Sequence, residues 1–573
     1  MKKFILLFAM LIGMANLPNN EQSDAEKLAE LLNSWDSNNP QYDLNGDGTV
    51  NAADLAIFLG QEERTDIGNG FLENTPQPNN NGSPGEWGYD AQAIARWTNV
   101  PFTEYNTDFT IGVVAFHICG IQKVDFSVNG GAWKSVYQPK LNSSNNVEEY
   151  FISVNPFDTQ DGLIEVRAIV YPNIGMPRVL QGSLSDIRVG GVNYLKYKDG
   201  NHSLFLNLNS KGTLPNIVMY VSPNGNDSTG NGSETSPYQS IGKALRQVRT
   251  LQNGICDGAK IYLMEGNHQN GVGSYSYPNP TTISRFITIQ PAPNLTREQV
   301  KLIGVGNYGT KLVEVKNITF YNNDITTSTQ IRSGNLDSII SVQNCYATYE
   351  AYDDNGNLKD PVYGSEFSSG FAGAYYINCE MYNTRGTMRS ANISINSKLI
   401  RPGDTPLANT GLHINAFIDE YVRIGDDHAD LVHFFANAGS PIRRENNIFF
   451  NITARNFWMQ GFQMNCSATT GTQQYDNTAF VNWDVSQDRN SVAGSWWMID
   501  ANHLLMENIK FKDQPIRWKR HATDADKSLN IKNVFIKNVC VAGMVDYGNS
   551  ERNQPYLIEP NVRQLNVTTS GCS

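Results

Sequence analysis

Two clusters of side chains in this 573-residue chain are equipped for chemistry. The first is Asp43-Leu44-Asn45-Gly46-Asp47-Gly48-Thr49-Val50-Asn51-Ala52-Ala53-Asp54. With Asp43 as loop position one, oxygen side chains fall at positions one, three, five, nine and twelve, and Gly48 sits at position six, where the backbone must turn sharply. Calcium takes six to eight hard oxygens, and this spacing wraps them around one point. Asp43, Asn45, Asp47 and Asp54 are expected to bind through their side chains, Thr49 through its carbonyl and Asn51 through water. The second cluster is Arg423-Ile424-Gly425-Asp426-Asp427-His428-Ala429-Asp430-Leu431-Val432-His433. On a strand, alternate residues share a face, so Asp426, His428 and Asp430 would point one way and Asp427 the other. Three titratable groups so spaced repel or compete for protons unless a cation, a shared proton or a ligand relieves them. His433, Arg443, Arg455, Gln460 and Gln463 follow, and would lie near the acidic run if successive turns of a coil stack. A solvated turn, or a calcium site that only stabilises the fold, would also account for the acidic run.

The elements that must hold these clusters are readable from period and punctuation. Leu28, Leu31, Leu32 and Trp35 recur at helical spacing over 24–35, and Leu55, Ile57, Phe58 and Leu59 continue into a second short helix. Residues 22–62 therefore read as a helix-loop-helix calcium module. Residues 63–88, with Asn74-Thr75-Pro76 and Ser83-Pro84-Gly85, read as a linker. Over 89–190 apolar residues alternate, as in Phe109, Ile111, Val113, Ala115 and in Ile164, Val166, Ala168, Val170, with Asn129-Gly130-Gly131 as a turn. That pattern predicts a β-sandwich. From 216 to the C-terminus, short strand-like runs carrying Asn recur, for example around Asn317, Asn378, Asn451, Asn508 and Asn533, late in the chain about every 25 residues, the length of one solenoid turn. The fold class expected is mainly β: a right-handed parallel β-helix over 216–573, preceded by the sandwich and the calcium module. Asn at the bends would bond to backbone and to the Asn of the next rung.

Composition narrows the partners. A net charge of -12 repels nucleic-acid phosphates and anionic membranes. Lys2 and Lys3, the apolar run Phe4 to Ile12, and Gly13-Met14-Ala15 read as a signal peptide over 1–15, so a secreted or cell-surface protein is expected. That run is too short to span a bilayer, and no later segment is long enough. The seven cysteines are odd in number and show no metal spacing, and most are expected as small buried hydrophobes.

Three stretches carry resemblances. Leu28 through Gly60, with Asn39-Pro40 and Asp43 through Val50, resembles one type I dockerin repeat; the resemblance implies calcium and, where two loops are paired, a cohesin-like partner. The hairpin Ser127-Val128-Asn129-Gly130-Gly131-Ala132-Trp133 looks like those of immunoglobulin-like and fibronectin-like modules in secreted carbohydrate-active proteins. Tyr220-Val221-Ser222-Pro223-Asn224-Gly225-Asn226-Asp227, then Ser236-Pro237-Tyr238, a helix with Ile241, Ala244, Leu245 and Val248 on one face, and Ile261-Tyr262-Leu263, resembles the N-terminal cap of parallel β-helix proteins with the pectate-lyase fold. This last resemblance implies a polysaccharide substrate or ligand. Two chemistries fit. A lyase uses a carboxylate-held cation to neutralise a uronate, and a basic side chain to remove the adjacent proton. A hydrolase sets two carboxylates across the glycosidic bond. Gly425-Asp426-Asp427 resembles the paired Asp of polygalacturonases, but that family's Asn-Thr-Asp, Gly-His-Gly and Arg-Ile-Lys motifs are missing here, which favours a lyase. Catalysis is expected from Asp426, His428, Asp430 and Arg443, and substrate binding from Asp427, His433, Arg455, Gln460 and Gln463. A non-catalytic glycan-binding or adhesion protein is the alternative.

Overall fold

The computed structural model describes nine positions between Glu30 and Val50 and, over 78–569, every residue outside 181–187, 190–191, 194–203, 215, 253–257, 270–284, 308–311, 323–328, 333–338, 361–364, 369–372, 385–390, 404–405, 409–410, 423–429, 435–443, 457–459, 465–474, 487–495, 499–500, 519–530 and 547–561; along some strands only the backbone path is described. The chain divides into two compact units, Met1–Pro76 and Gln77–Ser573. In the first, Glu30, Leu31 and Asn33 are helical, and Leu31 is buried, as its helical spacing requires. Val50 is buried too, and its N–H donates to the Ser37 carbonyl at 2.8 Å. Asp43, Asn45, Asp47, Asn51 and Asp54 lie outside the described residues, as does the segment 1–15.

The second unit begins with two β-sheets around one core. Ile94–Trp97, Phe109–Phe116, Val147–Val154 and Lys140–Asn142 form one antiparallel sheet. Glu104–Tyr105, Leu204–Leu208, Gly162–Pro172, Ile121–Val128 and Lys134–Val136 form the spine of the other. The alternating residues that made these strands legible, among them Ile111, Val113, Val124, Phe126, Val166 and Ala168, fill the core between them. Leu204, Leu206 and Leu208 complete that core from beyond residue 190.

A parallel sheet of 23 strands then runs from Ile217–Val221 to Val562–Thr568. Each strand pairs in register with one a circuit later: Ile217–Val221 with Ala259–Leu263, and that strand with Ile287–Pro291. The arrangement is compatible with a parallel β-helix. Helix Ile241–Leu251 sits at its start, with Ser240 accepting from the Lys243 N–H at 3.1 Å as N-cap. Its buried face of Ile241, Ala244, Leu245 and Val248 joins the core of the first rungs, which would otherwise be open at that end.

Three strips of strands can be followed along the ladder. Sheet A contains Ile217–Val221, Ala259–Leu263, Ile287–Pro291, Leu312–Lys316, Ile339–Gln343, Gly373–Ile377 and Ala391–Ile395, and then the first halves of Leu412–Asp419, Arg444–Ala454, Tyr475–Val485, Ala501–Trp518 and Ile531–Asp546. Sheet B contains Gly266–Gln269, Val300–Ile303, Thr319–Asn322, Tyr346–Tyr349, Glu380–Tyr382 and Lys398–Ile400, and then the following parts of those longer strands. Sheet C contains Leu407–Ala408, Asp430–Phe434, Gln460–Met464 and Trp496–Met498, and then the end of Ala501–Trp518.

The bend from sheet A to sheet B is one residue in the left-handed conformation. Asn344, Asn378, Asn396, Asn415, Asn451, Asn482, Asn508, Asn538 and Asn566 occupy it, with φ of 52–55°. Asn tolerates that conformation better than other side chains with a Cβ. Each Nδ2 donates to the Oδ1 of the rung before, at 2.8–3.0 Å, so eight bonds join nine rungs. The ladder expected from the Asn-bearing runs is present. Its late spacing of 26–31 residues is a little longer than the sequence period suggests, and it shortens to 18 and 19 residues in mid-chain.

The two-sheet element packs on the outer face of sheet A. Tyr375, Ile395, Leu412, Ile414, Ile448, Phe450 and Val481 meet Ala91, Ile94, Val114, Ile118 and Val147 in one apolar layer. Hydrogen bonds fix the register. The Ala95 N–H donates to Asn446 Oδ1 at 2.8 Å, Asn446 Nδ2 donates to the Ala95 carbonyl at 2.7 Å, and Arg96 Nε donates to the Asn446 carbonyl at 2.7 Å. Two members of the Asn ladder, Asn396 and Asn415, donate sideways to the Asn145 and Asn146 carbonyls, each at 2.8 Å.

Cys345 and Cys379 are free and buried, as expected of small hydrophobes, and Cys119 is free and half-buried. Cys540 is disulfide-bonded.

Candidate functional site

Sheet C gathers part of the second chemical cluster. Asp430 pairs in backbone register with Gln460, and His433 with Gln463. The column continues from Gln463 to Trp497 and from Trp497 to Arg517. His433, Gln463, Trp497 and Arg517 thus hold one register position on four successive rungs. The neighbouring column, Val432, Phe462, Trp496 and Ile516, contains the buried Val432 and Ile516. On the first of these rungs Leu431 and Val432 are buried in succession. The sequence reading named His433 and Gln463 but did not join them to Trp497 and Arg517. The signal was available only once register was known, because the intervening loops differ in length. Asp426, Asp427, His428 and Arg443 lie outside the described residues.

Arg455 directly follows the sheet B part of Arg444–Ala454. Its Nη2 donates to Asp484 Oδ2 at 2.6 Å and its Nη1 to Ser486 Oγ at 3.1 Å. Asn456 Nδ2 donates to Asp419 Oδ1 at 2.7 Å. The hydrogen bond to Asp484 pushes the Arg455 pKa up; burial opposes this, and the charges of Asp484 and Asp419 add to it. Arg455 is therefore a fixed cation already engaged by a carboxylate, poorly suited to proton abstraction. Asp419 and Asp484 belong to no motif, and the sequence reading did not single them out.

Other perturbed groups are enclosed. Glu149 is 1% exposed and accepts from Thr98 Oγ1 at 2.5 Å, Asn142 Nδ2 at 2.6 Å and Asn145 Nδ2 at 2.8 Å. Burial raises its pKa. The arrangement satisfies a carboxyl group inside the two-sheet element and leaves it out of reach of a polymer.

His117 and His503 meet where the two-sheet element docks, with ring centroids 4.5 Å apart. His503 Nε2 accepts from the Ile118 N–H at 3.3 Å, so its Nδ1 carries the proton and donates to Asn477 Oδ1 at 3.0 Å. His117 Nδ1 accepts from the Cys119 N–H at 3.0 Å, and its Nε2 donates to the Ala91 carbonyl at 3.1 Å. Both imidazoles are neutral and have both nitrogens in use, which fits a structural role.

Among the described residues no group of three or more His, Cys, Asp or Glu side chains is arranged to hold a metal ion, and no helix is long and apolar enough to cross a membrane. Searches against family models, curated proteins and solved structures return no match to the chain.

Proposed function

We propose that this is a secreted polysaccharide-active protein in which a right-handed parallel β-helix presents a groove along sheet C, and that it cleaves an acidic polysaccharide by calcium-assisted β-elimination. The observation that carries this reading is the register column His433, Gln463, Trp497 and Arg517, with Asp430 and Gln460 beside it. Indole faces stack on sugar rings, and guanidinium groups grip carboxylates in a two-pronged fashion. The acidic run Asp426, Asp427, His428 and Asp430 would hold the cation that neutralises the uronate. A basic side chain, Arg443 or Arg517, would take the proton on the carbon next to the carboxylate. The electrons of that C–H bond form the new double bond, the bond to the leaving glycosidic oxygen breaks, and that oxygen takes up a proton. Hydrolysis needs a carboxylate on each side of the scissile bond, whereas the rung next to Asp430 offers the amide Gln460.

The module at 22–62 is proposed as a calcium site that stabilises its own helix-loop-helix through Asp43, Asn45, Asp47, Thr49, Asn51 and Asp54. Removing a charged ligand by Asp47→Ala should weaken calcium binding in calorimetry, and equal affinities would reject the assignment.

The activity is tested by following the absorbance of unsaturated uronate when the full chain meets a panel of acidic polysaccharides with calcium. Product should form, and Arg517→Ala should lower kcat/KM by about 100-fold or more without changing the melting temperature, a loss on the scale of one transition-state contact. Retained binding with no product on any polymer would replace this reading with a glycan-binding or adhesion role.

A further inference from the structure

The outer face of sheet A changes character along its length. From the sixth rung onward its outward positions are apolar and covered by the two-sheet element, as at Tyr375 and Ile395. On the first five rungs one outward column is Tyr220, Tyr262 and Gln290, followed by Lys316 and Gln343. The residues on either side of Tyr220 and Tyr262 in the strands, including Val221 and Ile261, are core, so the pleat turns both tyrosines outward. Both are half-buried, and their ring centroids are 5.3 Å apart at 40°, one above the other on adjacent rungs.

The strip carries charges of both signs: Lys260, outward in the column of Thr288 and Glu314, acts on Glu104, and Glu234 acts on Tyr220. Glu314 takes Lys316 Nζ at 2.8 Å, Thr288 Oγ1 at 3.0 Å and Gln343 Nε2 at 2.8 Å. At its border Arg285 is paired to Glu104 of the two-sheet element at 2.8 Å. What the strip offers is a tilted aromatic pair followed by amide and hydroxyl groups, flanked by charges of both signs. Sheet B differs: there Lys301 lies over the Tyr321 ring at 4.4 Å and Arg297 over the Tyr346 ring at 5.7 Å, so cations occupy those aromatic faces. Strands repeat about every 4.8 Å, so five rungs give a strip roughly 19 Å long, parallel to the coil axis.

We propose that this strip is a binding site for a neutral polysaccharide chain lying along the axis, separate from the sheet C groove. Tyr220 and Tyr262 supply stacking platforms, the Gln290 amide donates and accepts, and the Gln343 amide oxygen accepts, its Nε2 being held by Glu314 and Ser341. With charges of both signs on the strip, the acidity of the chain as a whole makes an anionic polymer the poorer occupant.

The proposal does not depend on catalysis at sheet C, and its test keeps the two apart. The full chain is titrated in calorimetry with cellohexaose, xylohexaose and mannohexaose, and separately with polygalacturonate. At least one neutral hexasaccharide should bind. The Tyr220→Ala/Tyr262→Ala double variant should lose at least tenfold in affinity for it, and Tyr220→Phe/Tyr262→Phe should retain it. Eliminative activity on acidic polymer, where present, should be the same in all three proteins. Absence of binding by all three hexasaccharides at millimolar concentration, or equal binding by the double alanine variant, overturns the proposal. If that variant does not fold, Gln290→Ala should weaken binding at least threefold, and unchanged affinity there overturns it as well.

Discussion

The first three rungs and rungs six to ten of sheet A are built on the same inward core but differ on the outside; on the fourth and fifth, outward Glu314 and Ser341 are already buried. In Ala259–Leu263, buried Ala259, Ile261 and Leu263 alternate with half-buried Lys260 and Tyr262. In the first half of Arg444–Ala454, Ile448, Phe449 and Phe450 are buried in succession. Alternation marks a strand with one wet face, and a continuous apolar run marks one covered on both. The two-sheet element thus acts as the second wall of the middle rungs, and the outward residues there belong to a core as much as the inward ones do.

The comparison breaks most sharply at Phe450. It is 4% exposed and meets Phe116 of the two-sheet element edge-on, with ring centroids 5.3 Å apart. Phe450→Ala should cost about 3–5 kcal/mol, the range for a buried aromatic truncated to alanine. Tyr262→Ala, at the corresponding column on the wet rungs, should cost less than about 1 kcal/mol. Denaturant unfolding of both variants checks this, and equal losses would mean that the two-sheet element is not a wall.

Next in size is the bend that all these rungs share. Asn415→Ala removes bonds to Asn396, Asn451 and the Asn146 carbonyl and puts alanine at φ 54°. About 2–3 kcal/mol is expected from the unmet partners and the backbone strain together. Asn566, the last rung of the ladder, bonds only one ladder neighbour, Asn538, among the described contacts, so Asn566→Ala should cost about half as much. A cost at Asn566 matching that at Asn415 would show that stacking and lateral docking add nothing.

Acid should act most on the covered rungs, where His117, His413 and His503 are buried, while His268, its pKa also lowered by burial, adds a smaller effect on the early rungs. Burial pulls the pKa of His117 down to about 4, with the Ala91 hydrogen bond opposing, and that of His413 down to about 3, with Arg96 adding to the effect. Burial also holds His503 well below its usual range, helped by the His117 and Arg178 charges and opposed by a backbone bond from Gln92. The unfolded imidazoles titrate near pH 6.5, so below that value the unfolded chain binds more protons than the folded one. Stability is therefore full above about pH 6.5 and falls as the pH drops towards 4. His413 stacks on Phe449 at 5.3 Å, and His413→Phe continues that stack without a titrating group. Melting temperatures measured across this range should fall less steeply in the variant; parallel curves would remove His413 from the account.

Much of this was legible beforehand, and the boundary has a physical cause. Strand period and Asn-bearing runs pointed to the parallel ladder and its Asn bends because each is a local requirement of the backbone. The cap helix was legible from Ile241, Ala244, Leu245 and Val248 for the same reason. The column of His433, Gln463, Trp497 and Arg517 was not, because register across loops of unequal length is a long-range property. Nor was the engagement of Arg455 by Asp484, 29 residues away in the chain. The covered rungs carry apolar runs such as Tyr375-Tyr376-Ile377, but nothing local says which partner covers them.

The smallest effect expected lies on the fourth rung, between the wet rungs and the covered ones, at Lys316. Its ammonium is 2.8 Å from Glu314, a carboxylate whose side chain is 5% exposed, while the lysine side chain is 27% exposed. Breaking a buried pair is normally costly because it strands a charge. Here Glu314 also accepts from Thr288 and Gln343, so two donors stay in place when the lysine is lost. Lys316→Gln should therefore cost only about 0.5–1 kcal/mol, near the range of exposed pairs. Gln343→Ala in the same background removes a second donor, and the two losses should exceed their sum because they share one acceptor. A double-mutant cycle by denaturant unfolding reads this directly. Strict additivity would mean that Glu314 is solvated on the fourth rung, and that the strip is held by its backbone rather than by this ion pair.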